Sequence, residues 1–203
     1  MDILRYSGNS ANRTIAHTLG VVPGAMIVQL ETGTTPGSFI GSAWVKEIAA
    51  TDSFSWFNAS SVPASSVTHW NSTLPTASVV SLGTSGFTNA TSHNYTMYVI
   101  AHNPLAGVFC GEYIGTGSAG LVVEFGFPPA VVICFSKTTG RTMVLFDVKL
   151  GTSTHIELDA DCEAQTGGPV SLNTTSITLN SDLESNAVGE TFGVIAFANN
   201  LVF

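Results

Sequence analysis

Tyr95-Thr96-Met97-Tyr98-Val99-Ile100-Ala101-His102-Asn103 has a second version in the chain. Glu190-Thr191-Phe192-Gly193-Val194-Ile195-Ala196-Phe197-Ala198 repeats its pattern, with Val99-Ile100-Ala101 set against Val194-Ile195-Ala196. The segments that lead in also match. Tyr6-x-Gly8 running to Leu19-Gly20-x-x-Pro23-Gly24-Ala25-Met26-Ile27-Val28 is answered by Tyr113-x-Gly115 running to Phe125-Gly126-x-x-Pro129-Ala130-Val131-Val132-Ile133-Cys134, with one gap. The chain therefore reads as two copies of a module of about a hundred residues, the size of a small domain. Apolar positions agree between the copies while polar and titratable ones differ, so the retained feature is a shape.

Each copy reads as β-structure. Ala25 to Leu30 and Ala130 to Phe135 are short apolar runs rich in branched residues, each entered by a Gly-x-x-Pro corner and closed by a turn bearing glycine. Such runs are buried strands, too short for helices. Thr142 to Val148 follows the turn Lys137-Thr138-Thr139-Gly140-Arg141 and predicts a hairpin with the run before it. Ser78 to Gly83, Met97 to Ala101, Ser176 to Asn180 and Phe192 to Ala196 add further strands, and Gly, Pro, Asn and Ser clusters punctuate the chain throughout. The expected architecture is all-β: two tandem β-sandwich modules, jelly-roll-like, over residues 1–104 and 105–203. The seam is Asn103-Pro104-Leu105-Ala106-Gly107, where Pro and Gly end the preceding strand without starting a helix.

Composition narrows the function classes. Only 10% of the 203 residues are charged, against about 25% in an ordinary globular domain. The exterior must then be built from Ser, Thr, Asn and Gly, a surface suited to lying against other subunits. The net charge of -8 has the sign of nucleic acid and of anionic membranes, which argues against binding either. No apolar run reaches the roughly 20 residues of a membrane helix. Met1-Asp2-Ile3-Leu4-Arg5 lacks the basic and apolar regions of a secretory signal, so synthesis in a cytosol is expected.

Several motifs carry a chemical reading and a plainer one. Gly115-Thr116-Gly117-Ser118-Ala119-Gly120 fits a dinucleotide fingerprint, but a strand-like run follows where a helix is required, so it reads as a hairpin loop. Asp159, Asp161 and Glu163 alternate and in a strand would share one face, where they could hold a hard cation. The glycine that bends a calcium loop is absent, so an acidic exposed segment is the better reading. His17, His69, His93, His102 and His155 show no metal-ligand spacing, and no Gly-x-Ser-x-Gly elbow supplies a nucleophile. Cys110, Cys134 and Cys162, all in the second copy, have neither disulfide nor zinc spacing and read as buried apolar side chains. No cofactor and no metal are expected. Six sequons, at Asn12, Asn58, Asn71, Asn89, Asn94 and Asn173, reflect composition without a secretory route. Trp44, Trp56 and Trp70 all fall in the first copy. They offer either an aromatic surface for a glycan or protein partner or large plugs for that copy's core, and the partial alternation of Ser53-Phe54-Ser55-Trp56-Phe57 favours the plugs.

The first copy resembles a domain of bacteriophage tail-fibre and appendage proteins, chiefly of phages of marine bacteria and cyanobacteria. The residues that carry this are Tyr6-Ser7-Gly8-Asn9, Ile15 to Val28 with its His17-Thr18-Leu19-Gly20 corner, His69-Trp70-Asn71-Ser72-Thr73-Leu74-Pro75-Thr76, and Tyr95 to His102. The second copy echoes it through Phe125 to Ile133. The resemblance implies a non-enzymatic virion structural protein on the particle exterior, a tail fibre or appendage component that contacts the host surface. Its partners would be other virion proteins, further copies of itself in a homo-oligomer, a trimer by the habit of such appendages, and a host-surface glycan or protein. Such fibres carry the module behind an attachment region and a long shaft, whereas Met1 here leads almost straight into the first strand, as expected of a separate fibre tip or of a collar or adaptor piece. A capsid decoration protein on the phage head, or a free carbohydrate-binding lectin-like module, are the alternatives. An enzyme acting on host polysaccharide would have only Asp159, Asp161 and Glu163 to work with.

Overall fold

Tyr95, Met97 and Val99 alternate with residues on the opposite face of their strand, and all three are sealed from solvent. They set the orientation of the first module in a computed structural model of the chain. The structure describes residues 1–32, 64–158 and 164–199, with the backbone alone for 41–45 and 53–56. The chain divides between Ala101 and His102 into two compact units.

The first unit contains β1 (Asp2–Ser7), β2 (Arg13–Ala16), β3 (Pro23–Thr32), β4 (Gly41–Val45), β5 (Ser53–Trp56), β6 (Ala64–Ser65), the single-turn helix α1 (Val67–Trp70), β7 (Val79–Leu82) and β8 (Asn94–Ala101). One sheet runs β1-β8-β3-β4-β5-β6 and a second pairs β2 with β7. Met26 and Val28 of β3, the three β8 residues, and Val80 and Leu82 of β7 close a dry core between the layers, with Trp70 of α1 as its largest plug. Each such side chain contributes roughly 1.5–3 kcal/mol by leaving water.

The second unit repeats this plan. It contains β9 (Val108–Ile114), β10 (Leu121–Glu124), β11 (Pro129–Ser136), β12 (Val144–Asp147), β13 (Thr154–Glu157), β14 (Ala164–Thr166), β15 (Ser171–Leu172), β16 (Ser176–Leu179), α2 (Leu183–Asn186) and β17 (Thr191–Ala198). Its large sheet runs β14-β13-β12-β11-β17-β9 and its small one β10-β16-β15. Read from the opposite edge, the large sheet has the first unit's order, and every strand pair among the described residues is antiparallel. The fold is an all-β sandwich built twice, each time from a broad sheet and a narrow one. The expected hairpin is the β11–β12 pair. The Gly115–Gly120 loop is not a hairpin: β9 and β10 belong to different sheets, so the loop arches between layers.

Register shows how close the repetition is, and corrects one detail of the sequence alignment. Tyr6 faces Tyr95, and Tyr113 faces Phe192; Pro23 faces Ala101, and Pro129 faces Ala198. Tyr95 is therefore the counterpart of Phe192, two places further on than the letter match of Val99-Ile100-Ala101 implies. A slip of two leaves every side chain on the same face of a strand, which is why the pattern survived it. Both large sheets also carry a bulge between the corner proline and the second residue after it, since proline has no N–H to give the ladder.

The apolar runs are continuous because both faces of the large sheets are covered. On β11, Val132 and Cys134 face the sandwich core while Ile133 and Phe135 are buried on the other face, and on β17 Ile195 is buried there as well. A sheet with one wet face would alternate.

The two units also share a buried polar clasp. Asn89, fully buried, donates through Nδ2 to Ala11 O (2.8 Å) and Gly83 O (2.7 Å) and accepts Asn9 N–H at Oδ1 (3.1 Å). Asn186, equally buried, donates to Ser118 O (2.8 Å) and Asn180 O (2.7 Å) and accepts Thr116 N–H (2.8 Å). In each unit the amide ties the loop between the first two strands to the end of the narrow sheet. Tyr6 donates to Thr88 O (2.7 Å) and stacks on Tyr95; Tyr113 donates to Ser185 O (2.6 Å) and stacks on Phe192. Burial pushes both phenols well above their ordinary range, so they stay donors at any ordinary pH. Gly8 and Gly115 complete the clasp: a Cβ on either would lie 2.0 or 2.1 Å from the carbonyl oxygen of Ala90 or Ala187.

Candidate functional site

Trp70 belongs to the core. At 1% exposure, on α1 with Ser66 as its cap, it can touch neither glycan nor protein from outside, which corrects its place in the aromatic-surface reading. The backbones of Trp44 and Trp56 lie on β4 and β5, and their side chains lie outside the described residues. Asp159, Asp161, Glu163 and Cys162 lie outside them too. Among the described residues, no three His, Cys, Asp or Glu side chains are grouped to hold a metal ion.

The histidines are dispersed into local roles. His17 Nε2 lies 3.1 Å from Thr76 O, while Nδ1 accepts Leu19 N–H and so shapes the Gly20 corner. His69, on α1, stacks on Phe87. His93 stacks on Tyr95, His102 Nδ1 meets Cys110 O at 2.8 Å, and His155 lies edge-on to Phe146. Cys110 and Cys134 are buried, and burial pushes the Cys134 thiol up to about 12.

Four of the six loop amides from Gly115 to Gly120 are spent internally. Gly115 N–H goes to Glu190 O, Thr116 N–H to Asn186 Oδ1, Gly117 N–H to Asn186 O and Gly120 N–H to Leu179 O. They are turned into the fold, where a phosphate could not reach them.

Two charged arrangements stand out, one in the second unit and one present in both. Arg141 grips Glu190 with Nη2 (2.6 Å) and Nε (2.8 Å), and Thr139 Oγ1 donates to the same carboxylate at 2.6 Å. The guanidinium hydrogen bonds hold Glu190 down to about 2. Glu184 accepts Thr142 N–H at 2.7 Å, and burial raises its pKa. Carboxylates shifted in opposite directions are a frequent mark of acid–base chemistry. Here both are consumed in the fold: Glu190 rivets the β11–β12 turn to the start of β17, and Glu184 ties the end of that turn to α2. The second arrangement is a pair with its sign reversed between units. Arg5 of β1 bonds Glu31 at the end of β3, while Glu112 of β9 bonds Lys137 just past β11.

One recess among the described residues offers room for a partner and has no motif in the sequence to announce it. Asn103 caps the Pro104–Ala106 turn by accepting Ala106 N–H, and Gly107 closes it in the left-handed region at φ 78°. The turn holds Leu105 fully outward. Beside it runs a groove of about 450 Å³ lined by residues 104–107, 126–128 and 198–199, none of them charged. Its floor is fixed by Ala198 N–H to Gly107 O (2.8 Å) and Asn199 N–H to Pro128 O (3.1 Å). Its lining presents apolar side chains, backbone groups and the amide of Asn199. The signal in the sequence was an exposed-type turn, Asn-Pro-Leu-Ala-Gly, with a leucine at its tip.

These features define a duplicated β-sandwich scaffold with a neutral groove. The chain belongs to the family described as a domain of unknown function, DUF7483, whose model matches residues 1–200 and so spans both units. No curated protein and no solved structure matches it.

Proposed function

We propose that the chain is a non-enzymatic structural protein of a bacteriophage particle, a tail fibre or appendage component on the virion exterior that meets the host surface. The observation that carries this is the contrast between what the two units keep and what they change. Core, register, bulge and clasp are kept, while exposed polar residues differ and one ion pair exchanges sign. A chain that holds its packing and lets its exposed chemistry drift is maintaining a shape. Low charge and a neutral groove supply faces for contact with other virion proteins and with further copies. The phage setting comes from the sequence resemblance alone.

Labelled antibody on intact particles tests the reading. Label at the tail tip or fibres is the expected result. Label spread over the head would move the chain to the capsid as a decoration protein, and particles that lack the chain would overturn the structural reading. The lectin reading, with Trp70 buried, would have to stand on Trp44 and Trp56.

A further inference from the structure

The same pair of loops closes one end of each unit, and the two copies differ in what they hold outward there. The bonds to Asn89 and Asn186 fix the equivalence: Asn9 stands for Thr116, Ser10 for Gly117, Thr91 for Val188 and Ser92 for Gly189. In the second unit both left-handed positions are glycine, Gly117 at φ 71° and Gly189 at φ 73°. In the first they are serine, Ser10 at φ 54° and Ser92 at φ 66°. A serine is strained at such angles and a glycine is not. The first unit carries that strain twice, although the second shows that glycine serves the same backbone.

What the strain retains is a set of exposed polar groups. Ser10 Oγ accepts Thr91 N–H (2.9 Å) and the Thr91 hydroxyl (3.0 Å), which leaves its own O–H to donate elsewhere. Ser92 is exposed, and its hydroxyl has no partner among the described residues. Asn9 accepts Ala11 N–H at Oδ1 (3.0 Å) and keeps its amide hydrogens, and Asn12 is exposed in the same loop. No carboxylate lies in residues 7–13 or 90–94. The nearby cation is already engaged, since Arg13 donates to Ser7 O (2.6 Å) and lies over the Tyr6 ring. The matching end of the second unit is apolar instead, with Val188 75% exposed and Ile114, the counterpart of Ser7, 64% exposed.

We propose that the 9–12 and 91–92 loops of the first unit bind a neutral saccharide. Backbone strain that one copy keeps and its duplicate does without has its reason in the side chains it displays. Those side chains are hydroxyls and amides that donate and accept, the complement of a polyol. An anionic ligand would call for cations free to pair with it, and Arg13 is spent on Ser7 and Tyr6. The site calls on no tryptophan. It deepens the reading of the chain as an appendage that meets the host, and rests on that reading for the source of the saccharide, the host surface.

Retention of the full chain on immobilised mannan, galactan and dextran tests this, with a melting curve for each variant. Wild-type chain is expected to be held by at least one of the three and released by the matching free sugar. Ser92→Gly copies Gly189 and should raise the melting temperature while weakening retention at least fivefold, an opposition that a serine serving only the fold would not produce. Thr91→Val copies Val188 and should weaken retention at least tenfold in a chain that still melts cooperatively. Nuclear magnetic resonance of labelled chain with the retained sugar should shift the amides of residues 9–12 and 91–92 and leave those of 116–117 and 188–189 in place. A wild type that passes all three matrices, a Ser92→Gly chain that is held like wild type or melts lower, or shifts that fall elsewhere would each overturn the site. None of these outcomes alters where labelled chain appears on particles, so the two readings fail separately.

Discussion

Asn89 and Asn186 hold the same place in two successive modules and make the same three hydrogen bonds, although the residues they bind share almost no side-chain identity. Their partners are backbone groups, present whatever the local sequence. This frees the loops to diverge while the asparagine stays. Asn89 also heads a sequon, but with the residue fully buried and Nδ2 donating twice, it is closed to glycosylation in the folded chain.

Replacing either asparagine with alanine strands two carbonyls and an amide. Asn89→Ala and Asn186→Ala should each cost about 3 kcal/mol, the sum of lost bonds and unmet buried groups. Urea denaturation measures this, and a loss below about 1 kcal/mol would show that water or rearrangement replaces the clasp.

Glycine is required in the clasp for space and in the Gly20 corner for backbone angle. Gly8→Ala drives a methyl into Ala90 O and should cost more than about 3 kcal/mol, whereas Gly20→Ala meets no atom and should cost only about 1 kcal/mol for its positive φ. Melting temperatures of the two variants give the order directly.

Acid should act in two windows. Burial lowers the His69 pKa from 6.5 to about 4, so the folded state favours the neutral ring. Its contribution is whole above pH 6.5 and is lost as the pH falls toward 4, by up to about 3 kcal/mol. Glu190 is lowered from 4.5 to about 2, so its contribution is present above pH 4.5 and is lost on going down to 2. His69→Leu should flatten the upper window and Glu190→Gln the lower, at a cost for the latter of about 2 kcal/mol at neutral pH. Denaturation at a series of pH values reads both slopes.

The reversed ion pairs predict an exchange. Arg5→Glu or Glu31→Lys alone should lower the melting temperature slightly, by setting like charges together. Both changes at once recreate the Glu112–Lys137 arrangement and should restore it. A double variant no better than the singles would show that the pair contributes nothing.

The sheets were legible in the sequence because strand cores are written in apolar periodicity, and Met97 or Val194 could belong to nothing else. Even the two-residue misalignment of Tyr95 left the faces correct. The clasp was not read, although Thr88-Asn89-Ala90 and Ser185-Asn186-Ala187 stand at matching distances before Tyr95 and Phe192. A buried asparagine looks like any surface one until the loops that enclose it are known. The Leu105 groove went unseen for the same reason, since its walls come from three segments remote in sequence. Trp70 was ambiguous because tryptophan serves core and surface alike, and only its position on α1 decides.

Hydrogen exchange of the two asparagine side-chain amides, followed by nuclear magnetic resonance on isotope-labelled protein, tests the duplicated scaffold most directly. Nδ2 protons of Asn89 and Asn186 should both exchange far more slowly than those of exposed Asn12, and Asn186→Ala should leave Asn89 protected. Rapid exchange at either clasp would mean that the modules share apolar pattern alone, and the account of one architecture built twice would not stand.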